Sequence, residues 1–239
     1  MHAYAKRVRV KIKRFLKPRL ATVEGVILDA SNGVLDPATR RSIYSENYES
    51  LESEIINRTL EPEDRVLEFG AGIGFISTLC ALRLGRSDVV TTFEANPKLE
   101  RVCRRTFALN GVKPKLVRAA VSGVAGQIKF NALETYLSSS NKNRSNKTLK
   151  NDTIFVPAVT VQDAIKQYRP TYIISDVEGT EVDIFSTGTL HGVRKLCLEL
   201  HPHVVGHEPI NKMIDHLRSI GFQVHYDLTF RKRIYLTHS

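Results

Sequence analysis

Glu68-Phe69-Gly70-Ala71-Gly72-Ile73-Gly74 is the stretch on which the fold turns. Val66-Leu67-Glu68-Phe69 reads as a strand, and Phe75 to Leu84 reads as a helix closed by Gly85. A glycine-rich turn between strand and helix lets backbone N–H groups face a ligand. The dinucleotide fingerprint G-x-G-x-x-G requires glycine at position 75, where Phe75 stands, so the match to nicotinamide or flavin binding fails at its last position. The chain has no G-x-x-x-x-G-K-S/T, which excludes a P-loop. What remains is G-x-G-x-G after an acid, with a second acid, Glu94, 20 residues beyond Gly74 at the end of the next strand. At that separation a carboxylate on the second strand tip can hydrogen-bond ribose hydroxyls.

Outward from the turn, Val89 to Phe93 is a second strand, and Asn96-Pro97 caps a helix ending at Asn110-Gly111. Strands are expected at Lys115 to Val121, Gln127 to Asn131, Ile154 to Val156, Tyr172 to Asp176 and Val193 to Leu200, with helices at Val161 to Gln167 and Glu181 to Ser186. Ile210, Met213, Ile214 and Leu217 mark another helix before a last strand pair, Phe222 to Tyr226 and Phe230 to Leu236. This alternation predicts an α/β fold with a parallel sheet, helices on both faces and an antiparallel last strand. Upstream, a β-rich run from Thr22 to Asp29 and a helix from Tyr48 to Thr59 form a β/α extension over 22–64. Residues 137–151 are polar, basic and aperiodic, as in a loop. The expected organisation is an arm of residues 1–21 and one domain over 22–239.

The chain of 239 residues carries a net charge of +10, of which eight basic residues and no acid lie in the first 20. The remainder holds 27 basic residues against 25 acidic, so the body is nearly neutral. Val8, Ile12, Phe15 and Leu16 in the arm would share one helical face, which suits an anionic membrane surface or nucleic-acid phosphates; a disordered solubilising tail fits the composition as well. Hydrophobic content of 42% and charged content of 25% exclude a disordered, collagen-like or disulfide-scaffold chain. The longest uncharged stretch, Phe69 to Leu82, is too short to span a membrane, and charges interrupt any signal-peptide core near Val8 to Lys13. Cys80, Cys103 and Cys197 form no CxxC pair and read as reduced thiols, with Cys80 and Cys103 on helices as packing residues. A cytoplasmic location is expected, peripheral to a membrane if the arm binds one.

Together with Glu94, the glycine turn resembles that of class I S-adenosylmethionine-dependent methyltransferases. That resemblance implies a Rossmann-like seven-stranded sheet. It also implies that Glu68, Gly70, Gly72 and Gly74 hold the amino-acid part of S-adenosyl-L-methionine, and that Glu94 holds its ribose. Asp176-Val177-Glu178-Gly179-Thr180-Glu181 looks like the D-V-E-G-x-E signature of the FkbM-type members. Similarity continues through Tyr48-Glu49, Pro157 to Ala164, Gly188, Leu198-Glu199-Leu200-His201-Pro202 and Gly221-Phe222, covering about residues 22 to 235. Two departures stand out: Gly72 replaces the usual asparagine, and Ile174-Ser175-Asp176 lacks the lysine common before I-D-V-E-G. Members of that family methylate hydroxyl groups of sugars, glycolipids or polyketide-derived molecules, so the resemblance implies a glycan or small-molecule acceptor.

Methyl transfer to an alcohol is an in-line displacement in which the nucleophile loses a proton, so positioning and a general base are the protein's contributions. Asp176 and Glu178, at the carboxyl end of a strand, and His201, on the next, are the candidate catalytic groups. If the strand continues through Glu178, both carboxylates share a face; the alternative is that Glu178 caps the following helix. Glu199, His201, His203, His207 and Glu208 offer metal-binding residue types but no closed ligand set, so no metal is expected. An RNA methyltransferase docking through the arm, or a non-catalytic cofactor-binding scaffold, are the rival readings. The chain has no N-P-P-Y-type motif and no aromatic-basic RNA platform.

Overall fold

The computed structural model describes residues 2–131 and 153–238, so the loop expected at 137–151 lies outside the described residues. Helix α1 (His2–Leu16) ends at Lys17, whose φ is 45°, and is followed by a hairpin of β1 (Leu20–Val23) and β2 (Val26–Asp29). Helix α2 (Pro37–Tyr44) was not anticipated, although Asp36-Pro37 carries its start signal. The Asp36 carboxylate accepts from the N–H groups of Ala38 and Thr39 at 2.6 and 2.9 Å, and proline occupies the first turn. Helix α3 (Ser50–Thr59) begins two residues later than expected, because Glu49 adopts a left-handed φ of 47°.

The repeating part then runs β3 (Val66–Phe69), α4 (Phe75–Leu84), β4 (Val90–Phe93), α5 (Pro97–Leu109) and β5 (Lys115–Val117). It continues through β6 (Ala120–Val121), β7 (Gly126–Asn131), β8 (Thr153–Val159), α6 (Val161–Tyr168), β9 (Tyr172–Ser175) and α7 (Glu181–Phe185). After these come β10 (Lys195–Glu199), α8 (Pro202–Val205), α9 (His207–Ser219), β11 (Phe222–Val224), a 3-10 turn at Tyr226–Leu228, and β12 (Arg233–His238). The main sheet has seven strands in the order β11-β12-β10-β9-β3-β4-β5. Neighbours from β10 to β5 pair in parallel, while β12 pairs antiparallel with both β10 and β11. The fold is therefore the expected Rossmann-like α/β sheet, mostly parallel with an antiparallel last strand.

One correction concerns the edge. Lys115 to Val121 is not one strand: β5 joins the main sheet, whereas β6 pairs with β8. β8 also pairs antiparallel with β7, so the three form a separate sheet, β6-β8-β7, where a continuation of the parallel alternation was expected. Hydrophobic runs of this length specify a strand but not its partner.

Central strands buried on both faces explain the apolar runs. Val66, Tyr172, Ile174 and Cys197 enter one core layer with the hairpin, α3 and α4. Their sequence neighbours Leu67, Ile173, Leu196 and Leu198 enter the other layer, with α6, α7 and α9. The three cysteines are free and buried, which for Cys80 and Cys103 is the expected packing role. No helix among the described residues is long and apolar enough to cross a membrane.

Candidate active site

The turn after β3 uses each glycine for a different reason. All three have positive φ, at 88°, 53° and 79° for Gly70, Gly72 and Gly74. A Cβ on Gly70 would lie 2.0 Å from the Asp176 carbonyl oxygen, so glycine here lets the ends of β3 and β9 close together. On Gly74 it would lie 2.8 Å from Cys103 Sγ and 3.0 Å from Phe107 Cε1, so that position seats α4 against α5. Gly72 meets only the Tyr48 hydroxyl, at 3.9 Å, and otherwise faces open space.

That space is a cavity of about 710 Å³ at the carboxyl ends of the parallel strands, with Gly70, Gly72, Glu94, Asp176, Glu178 and Glu199 in its walls. Glu94, at the end of β4, accepts from the N–H groups of Gly72 (2.8 Å) and Asn96 (2.7 Å). Burial pushes its carboxyl up to about 7, and those backbone donors pull against the rise. Glu68 is 3% exposed and does not reach the cavity wall; it sits beneath the turn with Oε2 unpartnered. Burial raises it to about 7 as well, partly offset by Thr92 and Ser77, and the nearby Glu94 adds to the rise. Of the residues proposed for the cofactor, Gly70, Gly72 and Glu94 thus line the cavity, while Glu68 and Gly74 support it from behind.

On the opposite wall, β9 ends at Ser175, and the chain leaves the extended conformation at Glu178 (φ 50°) and Gly179 (φ 102°). The strand therefore does not continue through Glu178, yet both carboxylates converge on one imidazole. His201 Nε2 lies 3.6 Å from Asp176 Oδ1, 3.5 Å from Glu178 Oε2 and 3.8 Å from Glu199 Oε1. Glu178 does not cap α7; the Gly179 N–H donates instead to Glu181 Oε2 at 2.8 Å. The other Glu181 oxygen accepts from the His201 backbone N–H at 2.6 Å and lies 3.4 Å from its Nδ1. Glu181 therefore ties the signature segment to His201, a role its place in the sequence did not announce.

Exposure separates these groups. The His201 side chain keeps 4% of its surface and stands behind Asp176 and Glu178, which keep 36% and 37% and open to the cavity. Burial, then the charges of Glu199 and Glu178, push Asp176 up to about 8, while His201 counteracts them. Burial works to lower His201, but Glu181, Asp176 and Glu178 outweigh it and raise the imidazole. Behind this cluster, Arg233 of β12 pairs with Glu52 of α3 and, at 2.8 Å, with Glu199 of β10. Neither Arg233 nor Glu52 was singled out from the sequence, because their spacing along the chain carries no local signal.

Asp176, Glu199 and His201 each present one ligand atom within 4.8 Å of the others, a donor set able to hold a divalent cation. His203 does not join it; its Nδ1 lies 3.3 Å from Lys232 Nζ.

No protein of curated function matches the chain. Among solved structures, a ribosomal protein L11 methylase from Lactobacillus delbrueckii subsp. bulgaricus superposes with a TM-score of 0.48 at 14% identity, covering 86% of this chain and 83% of its own. A methyltransferase from Pyrococcus furiosus gives 0.44 at 14% identity, covering 80% and 82%. A precorrin-6y C5,15-methyltransferase from Geobacter metallireducens GS-15 gives 0.43 at 12% identity, covering 79% and 86%. The methyltransferase FkbM domain model matches residues 68–224, more than half of the chain, from the glycine turn through the Asp176 segment to β11. The chain belongs to the FkbM methyltransferase domain family.

Proposed function

We propose that the protein is an S-adenosylmethionine-dependent O-methyltransferase acting on an uncharged hydroxyl compound, a glycan or a small metabolite. The observation that carries this reading is one cavity with the glycine turn and Glu94 on one wall and the Asp176–Glu178 pair on another. The chain's own residues fit the donor. Gly72 leaves room where any Cβ would project into the cavity, and Glu94, held by two backbone donors, keeps free lone pairs for ribose hydroxyls. When bound, S-adenosylmethionine supplies an electrophilic methyl group.

The remaining work falls to side chains. Seven carboxylates line the cavity (Asp36, Glu49, Glu52, Glu94, Asp176, Glu178 and Glu199), against Lys129 and Arg233. With Arg233 already paired to Glu52 and Glu199, that lining offers little positive charge to a phosphate-bearing acceptor even where Asp176 and Glu94 are protonated, which argues against RNA and for a neutral polyhydroxyl compound. Asp176 is the cavity-facing carboxylate whose raised pKa makes it a competent base near neutral pH, so it accepts the proton lost by the attacking hydroxyl. His201 acts through it: anchored by Glu181, it orients Asp176 and Glu178 and moderates their mutual repulsion.

The test is transfer of labelled methyl from S-adenosylmethionine to a panel of glycans, small polyols and RNA, with S-adenosylhomocysteine affinity measured in parallel. Label should enter a hydroxyl compound, and Glu94→Ala should weaken S-adenosylhomocysteine binding. Asp176→Asn should lower kcat by roughly 10²–10⁴-fold with that binding intact. His201→Ala should cost less and move the acid limb of the kcat profile, the rise of rate with pH, to higher pH, because a group that lowers the Asp176 pKa is lost. Label entering RNA alone, or an unchanged kcat in Asp176→Asn, would overturn the reading.

A further inference from the structure

The first helix has one face tied down and another left bare. Arg9 donates to both Glu46 oxygens at 2.8 and 2.7 Å, and Lys13 reaches Glu46 at 2.6 Å and the Thr22 carbonyl at 3.0 Å. Those contacts fix the rotation of α1 on the body, beside α2. With Arg9 and Lys13 drawn to Glu46, Val8, Ile12, Phe15 and Leu16 fall in an arc of about 100° on one exposed flank, and Arg7, Lys11 and Arg14 in an adjoining arc of about 60°. The apolar four keep 40%, 52%, 84% and 66% of their surface, and the basic three are exposed too. Lys17 and Arg19 extend the positive rim, and the first acid of the chain is Glu24.

From this geometry we propose that α1 docks the protein on an anionic membrane surface, lying in the interface with Ile12, Phe15 and Leu16 among the acyl-chain tops and Arg7, Lys11 and Arg14 at the headgroups. Two features select that occupant. Cations alone would serve a nucleic-acid backbone equally well, but phosphates give four exposed apolar side chains nothing to be buried against. A lipid leaflet takes both stripes at once. The position also has a use: α2 packs against α1, and its cap and first turn, Asp36, Ala38 and Thr39, line the cavity. Docking through α1 therefore holds the acid-lined cavity next to the leaflet, where a hydroxyl acceptor carried on a lipid would be presented. The docking itself stands independently of the acceptor's identity.

The test uses the full chain, sedimented with vesicles of phosphatidylcholine alone and of phosphatidylcholine with phosphatidylglycerol. Binding should appear only with the anionic lipid and weaken as salt rises. Lys11→Glu/Arg14→Glu should weaken it roughly tenfold or more. Ile12→Ser/Phe15→Ser should weaken it to a similar extent, roughly tenfold, through lost apolar burial. Both variants should keep the wild-type circular dichroism and unfolding temperature, since the altered side chains are exposed. Vesicle binding that is absent, or unchanged in both variants, overturns the proposal. So does RNA binding lost on charge reversal but indifferent to Ile12→Ser/Phe15→Ser, or a dimer that the serine variant dissolves in a chain that ignores vesicles.

Discussion

Glu68 and Glu94 are two carboxyls held near the same raised pKa for different ends. Glu94 faces the cavity with backbone donors on both oxygens, whereas Glu68 is shut beneath the turn with one oxygen unpartnered. A carboxyl whose folded pKa, about 7, lies above the ordinary value of 4.5 favours folding least when ionised. Its contribution is neutral below the unfolded pKa and becomes a penalty as pH rises through 7. Glu68→Gln should therefore stabilise the protein without ligand by roughly 3 kcal/mol at pH 8 and hardly at all at pH 4.5, read from urea unfolding at both values. The glycines separate by the same logic. Gly70→Ala drives a methyl into a backbone carbonyl and should cost at least about 3 kcal/mol. Gly72→Ala has space and should cost only about 1–2 kcal/mol for its left-handed backbone, while abolishing S-adenosylhomocysteine binding measured by calorimetry. Equal stability losses at the two positions would contradict the separate roles assigned to them.

Elements meet at the site through charges that no single element could hold. Arg233 on β12 lies between Glu52 on α3 and Glu199 on β10, residues that keep 6% and 12% of their side-chain surface. Burial works to lower Arg233, but Glu52 and Glu199 outweigh it and raise its pKa. Removing the cation strands two carboxylates, so Arg233→Met should destabilise by about 3 kcal/mol or more, and adding Glu52→Gln should restore part of the loss. An additive double variant, with no recovery of the urea midpoint, would show that the pair is not coupled. α7 is a shorter case: it spans only Glu181–Phe185, and Glu181 reaches out of it to fasten His201. The start of α2 is signalled locally by Asp36-Pro37, whereas nothing local in the sequence specifies the pairing of β8 with β6 and β7. A strand of alternating or apolar residues offers its backbone to any edge, and the partner is chosen by which edges the rest of the chain leaves open.

At the scale of the molecule, a nearly neutral body carries an acid-lined cavity and a basic helix. The charge of the chain is thus divided between an acid-lined cavity and a basic first helix. Since the side-chain hydrogen bonds of α1 to the body among the described residues run to Glu46 and Thr22, a chain lacking residues 1–17 should unfold within a few degrees of the intact one, by calorimetry, and methylate a water-soluble acceptor at the same rate. By itself the sequence determined the strand–turn–helix at 66–84, the family signature at 176–181, the order of the parallel units and the concentration of charge in the first 20 residues. These are set by hydrophobic period, glycine backbone freedom and composition, all of which act over a few residues. The tertiary structure alone decided that Glu68 lies behind the cavity, that Asp176 faces it while His201 is buried behind Asp176, and that Arg233 neutralises an acid 181 positions away. Burial and opposite charge have no memory of sequence distance; they act on whichever groups the packed sheet brings within a few ångströms.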